Sequence, residues 1–384
     1  MLRLPRFNYL RPATAHEAAR MAAELGPRAM FVAGGTDLLP KLKRRQFEVD
    51  SLIGLDFLPR AIRNGSDECV IDAGVTLAHA SHDPNLNERF SGYAEAAGHV
   101  SSPPLRNAGT IGGNLCVDTR CNYYDMTYEW RKAAGFCLKK DGDICLVAPS
   151  SPRCWAVSSS DTAPMAIALG GVVTLVGASG ERELPVTALY RDDGDRYMAK
   201  QPDEVVTGLR LRRSPNTRSA YVKLRRRGSI DFPIAGAAVA VELDGDRVES
   251  CRIVLSAVAS YPLEAKAAEE FLKGRRLQED VIREAGWTTP ISVTSGAKGW
   301  SAWWSSKLLH EQATSSPAST VKLSGRIPLI HHPFIQKGQG MVEYALILAL
   351  VALIVLIALI ATGGQLLNLY SNITATMCNY HVGC

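Results

Sequence analysis

The sequence predicts an α+β protein: a front half in which helices and strands alternate, a small antiparallel sheet with helices behind it, and a single hydrophobic helix at the C-terminus. Three observations predict this. Short apolar runs alternate with helical periodicity over the first 212 residues, and extended runs follow one another after about residue 215 before two helical segments. Residues 344–362, YALILALVALIVLIALIAT, then form 19 residues with no charge, enough to cross about 30 Å of bilayer as a helix.

Thr14 is placed to cap a helix carrying Ala15, Ala18, Ala19 and Ala22 and closing near Gly26. The apolar run 29–33 reads as a strand entering Gly34, Gly35, Thr36, Asp37 and Leu38, where a new helix starts. Residues 69–75 read as a strand, 76–82 as a turn and short helix, and 92–100 as a helix, before a second glycine loop over 106–114. Helical periodicity over 161–169 precedes a hairpin, 172–177 and 182–186, turned at Ser179 and Gly180. Strands are predicted at 204–211, 235–243 and 251–258, and helices at 262–271 and 279–285. Beyond Gly286 the pattern breaks down: four of the six tryptophans fall within 287–304 amid Ser, Thr, Gly and Pro with no period.

The formal charge of +5, with no basic cluster longer than Arg225, Arg226 and Arg227 interleaved with aromatics, gives no footprint for nucleic acid. The N-terminus lacks the apolar core of a signal peptide and reads as a mature start, which places residues 1–286 in a reducing cytoplasm. Thiols there serve metals or redox chemistry more often than structural disulfides.

A strand that ends in Gly-Gly at a helix start gathers backbone N–H groups where no Cβ obstructs a ligand, and the helix dipole favours an anion. AGGTDL at 33–38 has that form, and TIGGN at 110–114 repeats it with the Thr110 hydroxyl and the Asn114 amide. Two such nests on one face suit the two phosphates of a dinucleotide, although each alone is also an ordinary tight turn. Neither fits GxGxxG or GxxxxGK[ST], so a Rossmann or Walker reading is not supported.

FVAGGTDLLPKLK, then RNAGTIGGNLC, then SSDTAPMAIALGG together resemble the FAD-binding subunits of the molybdenum hydroxylase family, over roughly residues 1–285. That resemblance implies a two-subdomain FAD-binding fold of the vanillyl-alcohol-oxidase-like (PCMH) type. It implies that Ala33, Gly34, Gly35, Thr36, Asp37 and Leu38, with Thr110, Ile111, Gly112, Gly113 and Asn114, line the FAD pyrophosphate and ribityl chain. Asp161 would bind the adenosine side, Lys223 would approach the isoalloxazine, and Val100 and Val206 would lie near the ring. Read without the resemblance, Asp161 is a helix N-cap and Lys223 a solvated basic strand edge.

Ordinary members of that family pass from GGNLC to the Asp-x-x-Pro helix in a handful of residues, whereas here Asp161 stands 45 positions after Cys116. The excess, 117–158, carries Cys121, Cys137, Cys145 and Cys154, separated by fifteen, seven and eight residues. Four thiolates from one loop fit an iron-sulfur cluster, tetrahedral zinc or unliganded reduced thiols; the paired C-x2-4-C knuckles of structural zinc are missing, and a one-electron centre beside a flavin makes chemical sense. The insertion resembles that of the β subunits of 4-hydroxybenzoyl-CoA reductases, which implies a [4Fe-4S] cluster on these four cysteines. Cys116, shared with relatives that lack the insertion, is not counted as a ligand, and Cys69 and Cys251 read as small core residues.

The resemblance further implies an electron-input subunit, an oxidoreductase component without substrate chemistry of its own. Ferredoxin would feed the [4Fe-4S] cluster, the cluster FAD, and FAD a small [2Fe-2S] subunit and a large molybdenum-cofactor subunit, in a dimer of heterotrimers that dehydroxylates 4-hydroxybenzoyl-CoA. Two alternatives stand beside it: a flavin subunit delivering electrons outward, as in xanthine or carbon monoxide oxidation, and a membrane-tethered pilin-like structural protein with a relic front half. KGQGMVEYALILALVALIVLIALI resembles a tight-adherence type IV prepilin, with Gly338 before the cut and Glu343 as the fifth mature residue; a plain membrane anchor is the simpler reading, and a genuine tail would tether the chain to the inner membrane. The expected domains are 1–212 for FAD binding with the insertion 117–158, 213–286 for a partial sheet and helix domain, 287–337 for a junction, and 338–384 for the pilin-like segment.

Overall fold

A computed structural model describes residues 3–65, 67–212 and 216–288. The expected tail over 338–384, its hydrophobic run 344–362 and the junction 289–337 lie outside the described residues. Among the described residues no helix is long and apolar enough to cross a membrane.

The first helix forms where expected, Ala15–Leu25, with Thr14 Oγ1 accepting from Glu17 N at 3.1 Å and Gly26 closing it at φ 71°. Its buried residues are Ala18, Ala19 and Ala22, of which Ala18 and Ala22 pack with Ile53 and Val205. The strand that follows, Ala29–Val32, belongs to a three-stranded parallel sheet in the order Asn8–Leu10, Ser51–Gly54, Ala29–Val32. Residues 69–75 are only in part a strand: Glu68–Asp72 pairs, and the chain then turns through Ala73 and Gly74 to the Thr76-capped helix Leu77–His82.

The second sheet is antiparallel, in the order Ile62–Asn64, Glu68–Asp72, Val205–Arg212, Val172–Gly177, Gly180–Pro185. The predicted hairpin forms its far edge, and Val205–Arg212 returns from later in the sequence to the middle position. Helices Ser91–His99 and Thr162–Ala168 share this sheet's apolar core and pack against strands Thr217–Leu224, Ala235–Asp244 and Arg247–Ser256 of the next, and every residue of Thr162–Ala168 is buried.

The third sheet, Leu263–Glu264, Arg247–Ser256, Ala235–Asp244, Thr217–Leu224, is also antiparallel and carries helices Lys266–Leu272 and Glu279–Thr288 on its own apolar cluster around Val239, Val241 and Ile253. Thr217–Leu224 was not expected as a strand, because its Arg218 and Lys223 interrupt the apolar alternation. Lys223 overturns the solvated-edge reading, with a side chain 1% exposed. Cys69 sits in the main core as expected, and Cys251 packs against the third sheet's cluster.

Candidate flavin cleft and cysteine cavity

Both glycine loops open into one cleft of about 290 Å³. Its wall includes Ala33, Gly34, Gly35, Thr36, Asp37 and Leu38 from the first loop, and Thr110, Gly113 and Asn114 from the second. The loops lie against each other so closely that a Cβ on Gly34 would sit 1.9 Å from the Ala108 carbonyl oxygen, and Gly35 takes φ 67°, the left-handed region that favours glycine. Thr110 Oγ1 accepts from Gly113 N at 3.1 Å and starts the short helix Ile111–Leu115. Gly112 lies against Ala73, where a Cβ would meet the alanine methyl at 2.8 Å. Ile111 and Gly112 are therefore buried behind the cleft wall and do not line it.

Asn114 joins this loop to the helix Thr162–Ala168. Its Oδ1 accepts from Ser160 Oγ at 2.9 Å, Thr162 Oγ1 at 2.7 Å and Thr162 N at 3.2 Å. With the acceptor saturated, the Nδ2 donor is what Asn114 offers to the cleft.

Asp161 lines the cleft, but it does not cap its helix. Ser160 does, accepting from Ala163 N at 3.0 Å. The fully buried Asp161 carboxylate instead accepts from Lys223 Nζ at 2.8 Å and Tyr221 Oη at 2.7 Å. Burial pushes its carboxyl up, and Lys223 and Tyr221 pull it back. Lys223 also donates to the His99 carbonyl at 3.1 Å and does not line the cleft, so it reaches that space only through Asp161. Val100 lines the cleft, whereas Val206 lies in the main core and does not. The residues that suit FAD are thus the glycine loops, whose missing side chains leave room for a pyrophosphate, together with Asn114, Asp161 and Val100.

Sequence reasoning missed several cleft residues: Asp118, Arg120, Tyr197, Ile230 and Phe232. Arg120 pairs with Asp37 and stacks on Phe232 with its guanidinium carbon 4.2 Å from the ring centroid. Ser101 and Ile230 both have positive φ, 46° and 52°, and Ile230 N donates to Ser101 O at 3.1 Å. For a β-branched residue that backbone is strained. No sequence motif announces it.

The cysteine stretch is drawn together at its base. Arg120 N donates to Val157 O and Val157 N to Arg120 O, both at 2.8 Å, and Gln46 Nε2 holds the Tyr124 carbonyl at 2.7 Å. Within that neck Cys121, Cys137, Cys145 and Cys154 line one enclosed cavity, together with Tyr124, Lys139 and Ala156. Its free volume is about 10 Å³, so the fit to a cluster rests on the donor set rather than on preformed space. Backbone N–H groups turn toward the sulfurs: Ala156 N stands 3.4 Å from Cys154 Sγ, and those of Tyr123 and Tyr124 face Cys121. Burial pushes the Cys154 thiol up to about 11 and raises that of Cys121, and these N–H groups act in the opposite direction. Among the described residues no group of three or more His, Cys, Asp or Glu side chains is spaced for a single ion. Cys116 lines the flavin cleft and not this cavity.

The two sites share a wall. Asp118 lines the cleft, its Oδ1 accepts from Lys139 Nζ at 2.9 Å, and Lys139 lines the cysteine cavity. Lys41, from the helix after the first glycine loop, donates to the other oxygen at 2.6 Å. Burial pushes the Asp118 carboxyl up, but Lys139 and Lys41 outweigh it and hold the group below the usual carboxylate range.

Comparison with known proteins accords with the cleft. The model of the FAD binding domain in molybdopterin dehydrogenase matches residues 5–212, and that of the CO dehydrogenase flavoprotein C-terminal domain matches residues 219–293, past the point at Gly286 where the sequence pattern broke down. The carbon monoxide dehydrogenase medium chain of Hydrogenophaga pseudoflava is 27% identical over 284 residues, 73% of this chain and 85% of that one. The nicotinate dehydrogenase FAD-subunit of Eubacterium barkeri is 28% identical over 292 residues, 74% and 84% of the two chains. The solved structure of the Hydrogenophaga carbon monoxide dehydrogenase lacking the Mo-pyranopterin moiety aligns with a TM-score of 0.63 at 26% identity, over 80% of this chain and 96% of that chain. The chain belongs to the family of FAD-binding medium subunits of molybdenum hydroxylases.

Proposed function

We propose that this chain is the FAD and [4Fe-4S] electron-input subunit of a molybdenum-dependent reductase acting on an aryl-CoA thioester of the 4-hydroxybenzoyl-CoA kind. The observation that carries the reading is the shared wall: four thiols around one cavity, separated from the flavin cleft by the Asp118–Lys139 ion pair. Bound in these two places, the flavin would supply one- or two-electron exchange and the cluster one-electron exchange.

The chain's own residues do the holding. The amides of the two glycine loops and the Asn114 Nδ2 donor bind the phosphate-bearing part of FAD, and Asp161, fixed by Lys223 and Tyr221, holds the adenosine side. Val100 and the strained Ser101–Ile230 pair shape the end of the cleft for the ring. Cys121, Cys137, Cys145 and Cys154 ligate the cluster, and the N–H groups of Tyr123, Tyr124 and Ala156 offset the negative charge on sulfur. The partners in this reading are a [2Fe-2S] small subunit and a molybdenum-cofactor large subunit in a dimer of heterotrimers, with ferredoxin as donor. The domain boundaries at 212, 286 and 337 and the cytoplasmic placement of residues 1–286 complete the proposal, with an inner-membrane tether through 344–362 if the tail is genuine.

A second reading, a flavin subunit passing electrons outward, is favoured by the relatives named as carbon monoxide and nicotinate dehydrogenase subunits. Paramagnetic resonance of the anaerobically purified full chain, reduced with dithionite, separates the two. The first reading expects a reducible cluster signal beside the flavin; a flavin spectrum with no reducible paramagnetic centre contradicts it and leaves the second.

A further inference from the structure

The shared wall has an electrical asymmetry. Lys139 follows Cys137 by two positions, and its side chain is 4% exposed. Its ammonium has three oxygen neighbours: Asp118 Oδ1 at 2.9 Å, Thr119 Oγ1 at 2.8 Å and Gly194 O at 2.6 Å. Three acceptors match the three donors of an ammonium and fix it in place. Gly194 N in turn donates to the Cys154 carbonyl at 2.9 Å. A Cβ on Gly194 would lie 2.5 Å from Ala156 N, so only glycine brings this strap against the Cys154 turn without displacement. The lysine is thereby tied, through Gly194, to the turn that follows the last cysteine.

Lys41, 1% exposed, occupies the other oxygen of Asp118, and both ammonium groups lie over the Tyr124 ring, 4.6 and 5.1 Å from its centroid. Two buried cations thus face one buried carboxylate. The other carboxylates acting on them, Asp125 on Lys41 and Asp195 beside Lys139, are half-buried and exposed respectively and remain partly screened by water. Burying a surplus cation is unfavourable unless an anion answers it. The Lys139 charge falls on the cysteine side, because Lys139 lines the cavity that the four thiols share.

Resting on the reading that the four cysteines hold an iron-sulfur cluster, we propose that Lys139 is a positioning residue whose fixed charge sets the potential of that cluster. One-electron reduction, by dithionite in the test below, adds a negative charge to a group already made anionic by four thiolates, with no proton taken up and no bond broken. A buried cation beside it favours the reduced form, and Asp118, on the flavin side of the same wall, opposes that effect. Lys41, held by the other oxygen of Asp118, offsets the carboxylate so that the charge of Lys139 is not cancelled.

The test is a potentiometric titration of the full chain, purified anaerobically and followed by paramagnetic resonance. Lys139→Met is expected to lower the ratio of reduced to oxidised cluster at a fixed potential by about tenfold, a shift of about 59 mV to more negative values for a one-electron couple. Lys139→Arg restores the wild-type midpoint, and Asp118→Asn moves it in the positive direction. Unchanged midpoints in Lys139→Met, or in Asp118→Asn should the methionine variant fail to fold, overturn the proposal. A wild-type chain with no reducible cluster overturns instead the reading on which it rests, so the two failures are distinct.

Discussion

At the flavin cleft two glycine loops at helix starts form much of the wall, whereas at the cysteine cavity four thiol side chains do so, carried by a stretch with one short helix, Tyr128–Ala133. The first kind of site depends on what is missing, a Cβ at Gly34 and Gly35, and on a close approach of two loops. The second depends on what is present and on tethers that bring distant residues together: the Arg120–Val157 neck, Gln46 on Tyr124 and the Gly194 strap. The comparison teaches that a backbone-built site is robust to side-chain exchange around it but not at its glycines, while a side-chain-built site fails at each of its donors separately.

The largest effect on stability is expected from Asp161→Ala, which strands the buried Lys223 ammonium; losing one partner of such a pair costs about 3–5 kcal/mol, read as a fall in the urea midpoint. Next is Gly34→Ala, where overpacking against Ala108 costs about 1–3 kcal/mol, read as a fall in the urea midpoint, with weaker FAD binding by fluorescence titration. Iron loading of the cysteine cavity should be unaffected. Thr110→Ala removes the cap of Ile111–Leu115 and is expected to cost about 1 kcal/mol in a melting experiment. The smallest effect belongs to Cys116→Ser: because its thiol lies on the cleft and not in the cavity, iron content stays at the wild-type level.

How much of this was legible in the sequence follows the same division. The Thr14-capped helix, the hairpin at Ser179 and Gly180 and the two glycine loops were readable because each is encoded by neighbouring residues: a cap, a turn, a Gly-Gly before a helix. Thr217–Leu224 was not readable as a strand. Its Lys223 is polar by type but buried, and the reason, Asp161 in another element, lies 62 residues away. Asp161 was misread as a cap for the same reason, since the residue next to it, Ser160, already serves that end of the helix. The thiols could be counted from sequence, but the Asp118–Lys139 contact that joins their cavity to the cleft could not. Nor could the positive-φ backbone of Ile230, whose amide donates to the Ser101 carbonyl.

The central claim, that one chain places a flavin and a thiolate-held cluster on either side of Asp118 and Lys139, is tested most directly by composition. Iron, acid-labile sulfide, zinc and FAD should be measured on the anaerobically purified full chain and on Cys137→Ser. The account predicts about four iron atoms and one FAD per wild-type chain, with iron lost and FAD retained in the variant, because a cubane needs a ligand at each corner. Zinc in place of iron, or a flavoprotein whose metal content is indifferent to Cys137, would contradict it.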